Sequence, residues 1–522
     1  MQGTTTYVLN LAGAAEDNPA VPPLLRIPVE IHVLIFDHCV RNDTVGHVFS
    51  KRSMPWVLSQ VCTQWRAVCL STPFLWALVR MNTRHGHSPD MLRAWLERSR
   101  PLPLSFFASF DPTNSLESHQ QLLDLFIRES HRWRIMDFVF DSQDQLYHQL
   151  STVDPYLPLL LSSRIKVKLI DTLTSGNHQV HVWHTPRLKQ AVFYVTRESQ
   201  RPTMEIIPSW VQLEELTWYP SNLSRFLDHG STFRHLRYCR LDVADDAPPT
   251  VQQRRPRYIT MPHLQHLDIC GRFRTVLTIL DSLTLPALQY LDMLCRQSLK
   301  NVSDHILSAL GNLQARSGCR IRRLSSPVSL FSGPNAPALA RGVGPVFELR
   351  ILFNTEEDNE HVIRNFLETD MFNQVTTLHV LVHGRHEGET RLFSRVIDLV
   401  ESRRLVPRIG VSQLERLSFD SILSASSNGI SVNTEFFQRV LKLEQDGLLL
   451  LGNVVQGKWH SIYINGNWSL GEFDRVIRRW ARSGHCDWFY ESEMKSYLEN
   501  KELWDRLQSA CVSASYLRTN QL

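Results

Sequence analysis

Few residues in this chain have the types and spacing that chemistry needs. Gly452-Asn-Val-Val-Gln-Gly457-Lys458-Trp459 approaches a phosphate-binding loop, in which backbone N–H groups and a lysine cradle phosphates. Trp459 stands where a Ser or Thr hydroxyl must hold magnesium, so the segment reads as a turn. His178, His181 and His184 recur every third residue, a spacing that alternates faces in a strand, and no Cys or Glu completes a zinc set. His383 and His386 bracket Gly384 in a loop-like stretch and gain no further ligand. Cys486 has His485 and Asp487 as chain neighbours, but a thiol nucleophile needs its base beside it in space. Neither a Gly-x-Ser-x-Gly elbow nor a Gly-x-Gly-x-x-Gly loop occurs. The expectation is a non-catalytic protein with no catalytic residue, cofactor or metal site.

The composition agrees with a binding role. At 522 residues the chain exceeds one ordinary core, and two or three units, or a repeat array, are expected. It holds 56 basic and 52 acidic residues, and a formal charge of +4 is too small to argue for nucleic acid. Arg254-Arg255-Pro256-Arg257 and Arg320-Ile321-Arg322-Arg323 are short and read as solvated surface or loop. No stretch approaches the ~20 apolar residues of a membrane helix. Residues 1–25 lack the basic start and apolar core of a signal peptide. Nine cysteines are scattered with no Cys-x-x-Cys pair, as expected of reduced thiols in the cytoplasm or nucleus.

The elements that follow are of two kinds. After a tail over 1–22, the segment Leu25-Arg-Ile-Pro-Val-Glu-Ile-His-Val-Leu-Ile-Phe36 predicts a helix. Pro28 suits its first turn and Glu30 the positive end of its dipole. Ile27, Ile31, Leu34, Ile35 and His38 form its mostly apolar stripe. A second helix is expected from Pro55 to Cys69, with Leu58, Val61, Cys62, Trp65 and Val68 on one face. Ser71-Thr72-Pro73 stops it, and Phe74-Leu75-Trp76 adds an apolar hook. So small a unit cannot bury all of these positions by itself. Either the surplus packs against the same chain or part of it docks another protein.

The combination of Leu-x-Ile-Pro-x-Glu-Ile-x-x-x-Ile-Phe with Ser-Gln-Val-Cys-x-x-Trp-Arg-x-Val and Thr-Pro-x-Leu-Trp resembles the F-box. It is similar in particular to the F-box-like domains of large families of fungal proteins. Trp95-Leu96-Glu97-Arg98-Ser99 and His131-Arg132-Trp133 also look like phrases that follow the F-box in such families. The resemblance implies a Skp-type linker subunit as partner and, through it, a cullin. Position by position it implies linker contacts from Ile27, Pro28, Ile31, Ile35, Phe36, Val61, Cys62 and Trp65. Ile27 stands where the motif usually has Leu, and Cys39 where Leu is common.

From about His184 a second phrase returns, x-Leu-x-x-Leu-x followed by an apolar residue. Its anchors Leu188, Leu213, Leu236, Leu264 and Leu288 lie 25, 23, 28 and 24 residues apart, within the leucine-rich-repeat range. Alternation makes each phrase a short strand with one buried face, and stacking covers that face. Ser303–Leu313 and Glu360–Thr369 are amphipathic and would be outer helices, while Pro327–Gly344 reads as an insertion loop. After about Ser426 the phrase disappears; Thr434–Gln445, Gly471–Ser483 and Glu491–Leu507 are helical in period, with Trp468, Trp480, Trp488 and Trp504 among or near them.

The expected fold is therefore α/β. A small all-α F-box over 23–79 leads into connecting helices and a cap over 80–140. A divergent leucine-rich-repeat solenoid over 141–425, a curved parallel sheet with outer helices, ends in a helical C-terminal cap over 426–522. The expected function is substrate recognition for a Skp-cullin-F-box ubiquitin ligase, with an unknown protein target and neither nucleic acid nor membrane as partner. The alternative is an interaction scaffold acting outside ubiquitination.

Overall fold

The computed structural model describes residues 27–43, 47–85, 88–111, 115–141, 149–169, 179–197, 204–208, 210–219, 223–243, 258–295, 303–331, 335–336, 343–354, 373–383, 389–405, 412–422, 431–433, 439, 442–443, 445–451 and 463–465. The helices expected at Glu360–Thr369, Gly471–Ser483 and Glu491–Leu507, most of Thr434–Gln445, the phosphate-loop-like segment, Cys486 and the four C-terminal tryptophans lie outside these residues. The chain divides into two compact units, Met1–Ser209 and Trp210–Leu522. Both are mixed α/β structures built on parallel strands. No described helix is long and apolar enough to cross a membrane.

The first unit opens with three helices. Helix α1 spans Val29–Asn42. Pro28 precedes it as the cap residue, one place earlier than the sequence indicated, and its carbonyl accepts the N–H groups of Ile31 and His32 at 3.0 and 3.2 Å. The expected second helix is two helices, α2 (Met54–Val61) and α3 (Thr63–Ser71). Cys62 breaks them apart with an extended backbone (φ −157°, ψ 172°), and its sulfur accepts the Trp65 N–H at 3.4 Å, capping α3. Helical periodicity runs through this break because one extended residue displaces the following turn without changing which residue types are apolar. A 3-10 turn, Pro73–Trp76, then buries Leu75 and Trp76.

Parallel strands begin at once: β1 (Leu78–Asn82), β2 (Leu104–Phe110), β3 (Trp133–Asp141) and β4 (Ser162–Leu169). Two more, β5 (Gln179–Trp183) and β6 (Gln190–Arg197), follow, and β7 (Met204–Pro208) pairs with β5. The ladder order is β1-β2-β3-β4-β6, so strands occupy 80–140 as well as the region assigned to repeats. Helices α4 (Pro89–Ser99) and α5 (Leu116–Arg128) make the first crossovers. Leu104, Phe106, Ala108 and Phe110 alternate into the core, and Phe106 meets Phe126 of α5 edge-on at 4.6 Å. The repeat phrase is weak here because aromatic residues do the work that leucine does later.

In the second unit nine parallel strands lie in one ladder among the described residues. They are β8 (Glu215–Tyr219), β9 (Tyr238–Asp242), β11 (His266–Gly271), β13 (Tyr290–Cys295), β14 (Arg323–Pro327), β15 (Glu348–Asn354), β16 (Thr377–His383), β17 (Arg416–Ile422) and β19 (Leu449–Leu451). Two short pairs flank the ladder, β10 (Ile259–Thr260) with β12 (Leu283–Thr284) and β18 (Ser431–Asn433) with β20 (Tyr463–Asn465). Helices α6 (Leu223–His229), α7 (Phe273–Ser282), α8 (Ser303–Ser317) and α9 (Glu389–Leu405) connect successive strands. Helix α8 is the one expected at Ser303, and β19 continues the ladder past Ser426, where the phrase had faded.

The register explains the phrase. Leu216, Cys239, Leu267, Leu291, Leu324, Leu349, Leu378 and Leu417 are consecutive partners across the ladder, all at most 4% exposed. The anchor leucines sit a turn earlier. Leu213, Leu264 and Leu288 donate their N–H to Trp210, Met261 and Leu285, and in the first unit Leu188 does so to Thr185. Gly230 is required by packing: a Cβ there would lie 2.5 Å from Ile259 Cγ2. Gly318, at φ +64°, ends α8 in the left-handed region. Replacing Leu267, which is fully buried, by Ala is expected to cost about 2–5 kcal/mol. Gln265→Ala, on the exposed side of the same phrase, should stay within about 0.5 kcal/mol. Thermal denaturation of the two variants checks the assignment.

Candidate functional site

The faces of α1 decide what its residues can do. His32, Phe36 and Val40, four residues apart, are buried. Phe36 lies 4.9 Å from the Trp65 ring and 5.9 Å from His32, which is itself 5.9 Å from Trp65. This aromatic cluster is where α1 meets α3. The opposite stripe, Ile31, Leu34 and Ile35, is 44%, 64% and 42% exposed. The stripe read from the sequence therefore faces solvent, and a His-Phe-Val face holds the helix in place. Hydropathy ranked the two faces wrongly because a buried histidine counts as polar until its aromatic neighbours are known.

The eight residues singled out from the sequence separate accordingly. Pro28, Ile31, Ile35 and Val61 are exposed, Ile27, Cys62 and Trp65 are half-buried, and Phe36 is fully enclosed. Phe36 is a core residue of this helical unit and offers no surface. Trp65 has one face on the cluster, and its indole N–H is buried with no hydrogen-bond partner among the described residues. Leu34, Leu70 and Phe74 are exposed apolar residues beyond the eight; Leu34 already stood in the stripe, and Leu70 and Phe74 carried no periodic signal. Among the described residues, six of the thirteen exposed large apolar side chains fall between residues 31 and 74, which marks this short segment as the densest apolar surface of the first unit.

The helical segment is tied to the strands behind it. Trp56, Trp76 and Trp95 meet edge-on, with centroids 5.1 to 6.0 Å apart, and the Arg98 guanidinium lies 4.4 Å from Trp56 and 4.6 Å from Trp76. Burial lowers the Arg98 pKa from its ordinary value, and Glu97 opposes that effect. The Trp76 indole donates to the Cys69 carbonyl at 2.8 Å. Asp43 accepts the Met54 N–H at 2.9 Å and its carbonyl accepts Arg80 of β1. The phrases around Trp95 and His131 meet too, since Arg132 donates to Ser99 Oγ at 2.8 Å and to the Leu102 carbonyl at 3.0 Å. These residues position the exposed helices; they are not themselves a reacting set. Cys69 is buried, which pushes its thiol up to about 12 and leaves it protonated.

A second arrangement lies in the second unit, on the strand face opposite the leucines. Register places Tyr238, His266, Tyr290, Arg323, Glu348 and Thr377 in one row, and Arg240, Asp268, Asp292, Ser325, Arg350 and His379 in the next. Arg240 reaches Asp268 at 3.4 Å, His266 Nε2 lies 2.6 Å from Asp292, and His379 Nε2 lies 3.2 Å from Glu348. Arg323 sits between the last two carboxylates, at 3.6 and 3.8 Å, with its guanidinium 4.7 Å from the Tyr290 ring. Arg350 completes the row at 3.4 Å from Glu348. Nothing in the linear pattern signals this network, because its members occupy the unspecified positions of the leucine phrase and neighbours within a row lie 24 to 33 residues apart.

Comparisons with known proteins add little. No family model matches the chain, and no curated protein matches it. Among solved structures, the crystal structure of a protein from Bacteroides fragilis aligns at 14% identity and a TM-score of 0.30, covering 66% of this chain and 84% of that one. A likeness that slight carries neither fold nor function.

The charged rows do have a pH consequence. Burial opposes ionisation of Asp292, but the hydrogen bond to His266 and the charge of Arg323 outweigh it and hold the carboxyl below its ordinary value. Glu348 is lowered in the same way, against its burial, by His379 and Arg323. Asp268 goes the other way: burial raises it, and Arg240 does not compensate fully. The stabilisation from Asp292 and Glu348 is thus present above the ordinary carboxylate range and lost as pH falls through their lowered folded values. Asp268, raised in the fold, contributes favourably only when protonated and loses that contribution as pH rises. At neutral pH Asp292→Asn should therefore destabilise by about 1–3 kcal/mol, and Asp268→Asn should leave stability unchanged or higher. Denaturant titrations of both variants at neutral and acidic pH should show that contrast narrowing as the carboxylates protonate.

Proposed function

We propose that this protein is a substrate-recognition adaptor of a Skp-cullin-F-box ubiquitin ligase, with its N-terminal helices docking the Skp-type linker and its repeats holding a protein target. The observation that supports this reading most is the exposed stripe Ile31, Leu34 and Ile35 on α1, with Val61, Leu70 and Phe74 in the same short segment. An apolar helix face held rigidly from behind by aromatic packing suits helix-in-groove recognition. It coincides with the segment that resembles the F-box. The parallel ladder of leucine-faced strands, with intervening helices, supports a divergent leucine-rich-repeat solenoid as the target-holding part. Catalysis would then be positioning, in which a tethered target lysine is kept at high effective concentration near a ubiquitin-conjugating enzyme. A cytoplasmic or nuclear location follows from the same reading.

The test uses surface substitutions, since Trp65 packs inside the helical cluster and its loss would confound folding with binding. The full chain should capture a Skp-type linker and, with it, a cullin. Ile31→Glu combined with Leu34→Glu should abolish capture while the melting temperature stays within about 1–2 °C of the wild type, as for exposed sites. Absence of capture by the wild-type chain would sink the proposal. Capture of linker without cullin would move it to a scaffold outside ubiquitination.

A further inference from the structure

Two groups of arginines in the second unit differ in a way that the sequence does not show. Arg240, Arg323 and Arg350, on the strand face, each stand within 4 Å of a carboxylate. Those at the leading ends of the strands do not. Arg237, Gln265, Gln289, Arg322 and Phe347 each sit one position ahead of a strand, and they form a hydrogen-bonded row: the N–H groups of Gln265, Gln289, Arg322 and Phe347 donate in turn to the carbonyls of Arg237, Gln265, Gln289 and Arg322, at 2.7 to 2.9 Å. Adjacent strands are about 4.8 Å apart, so Arg237 and Arg322, three strands apart, are separated by about 14 Å along this edge. Arg234 and Arg320 lie in the turns entering the same two strands.

All four arginines are exposed, and none makes a side-chain hydrogen bond or an ion pair among the described residues. The leading turns at 232–237, 258–265, 283–289 and 318–322 hold no Asp or Glu. Helix α7 ends near this edge, but its carbonyls at Leu280 and Leu283 are already taken by Arg316, and Asp281 nearby feels the Arg316 charge. On the Arg237 side the row continues to Glu214, whose carbonyl accepts the Arg237 N–H at 2.8 Å, but none of the four guanidiniums is taken up in an ion pair among the described residues. Between them lie two glutamine side chains, and next to Arg322 in the row lies Phe347, 44% exposed. Arginine with an exposed aromatic is the composition of a protein-binding surface, and the guanidinium fork matches a carboxylate in geometry as well as charge.

We infer that this edge docks an acidic polypeptide segment, a run of Asp and Glu residues lying across the strand ends from Arg237 to Arg322. About four residues of extended chain span that distance. The glutamines pair with the peptide backbone, and Phe347 takes an apolar side chain at the end of the run. A polypeptide fits better than a nucleic acid, because the cations are interrupted by amides and the whole chain carries a net charge of only +4. The inference stands apart from the linker-binding reading, since it uses other residues and another unit.

Fluorescence anisotropy with the full chain provides the test. The probes are a labelled peptide of alternating Asp, Glu and Ser, its Asn/Gln counterpart of equal length, and a labelled single-stranded RNA. The acidic peptide should bind, its affinity should fall as salt is raised, and the amide counterpart should bind more weakly. R237E combined with R322E should weaken the acidic peptide by about tenfold or more. R234E combined with R320E should weaken it as well, whereas R128E, on exposed α5 surface in the first unit, should not. Circular dichroism melts of each variant confirm that the fold is retained. The inference is overturned if the wild type does not bind the acidic peptide, if R237E/R322E binds it as well as the wild type, if R128E weakens it equally, or if RNA binds more tightly than the peptide.

Discussion

Parallel pairing governs this molecule through one recurring hydrogen-bond arrangement. In the second unit a carbonyl one residue ahead of each ladder strand from β8 to β16 accepts two N–H groups from the next repeat, as Gln265 does from Gln289 and Tyr290. In the first unit Leu161 accepts Lys189 and Gln190 in the same way. A shared acceptor leaves no freedom to slip by one residue, and with a side-chain period of two a slip would turn every leucine outward. Once the register is set, everything else follows in rows. Leucines align with leucines and vanish into the core, and the residues between them align on the opposite face. Repeats of unequal length are tolerated because the extra residues fall between strands, where no pairing constrains them.

The same logic gives the polar side of the second unit its character. Residues scattered over more than a hundred positions of chain become nearest neighbours, and the outcome is a band of alternating arginine, carboxylate and histidine that neutralises itself. Asp292 and Glu348 ionise more readily than usual because each faces both a histidine and Arg323. Among the described residues Asp268 has only Arg240 within ion-pair distance, and burial prevails. At the strand ends compensation stops. There the backbone leaves the ladder, side chains point into water, and four arginines have no ion-pair partner among the described residues. A self-compensated band sets local order and stability, whereas an uncompensated edge exerts a field beyond the surface.

In the first unit the governing contact is aromatic. Phe36 against Trp65 fixes the rotation of α1, and the Trp56–Trp76–Trp95 cluster beneath Arg98 fixes the helical segment on the strands that follow. With rotation fixed, the aliphatic stripe has no place to go but outward. An exposed leucine or isoleucine is unremarkable singly; a stripe of them on a helix whose other face is fully packed is the surface that the proposed docking role would use.

Sequence alone determined the parts of this protein that depend on local repetition. The alternating leucine phrases identified strands and their buried positions, and α8 and the stop after Ser71 follow from periodicity and from breakers. Motif spacing also singled out the N-terminal segment, on which the proposed docking role rests. Tertiary structure decided the rest, for reasons that are physical. Which face of α1 is buried depends on Trp65, thirty-three residues after His32, and no window of hydropathy contains both. The division at Cys62 depends on a backbone torsion that leaves the apolar pattern intact. The early strands hid because phenylalanine and tryptophan replace leucine. The charged rows and the bare arginine edge exist only in register, as relations between repeats, and a linear sequence holds the members of such a relation without holding the relation itself.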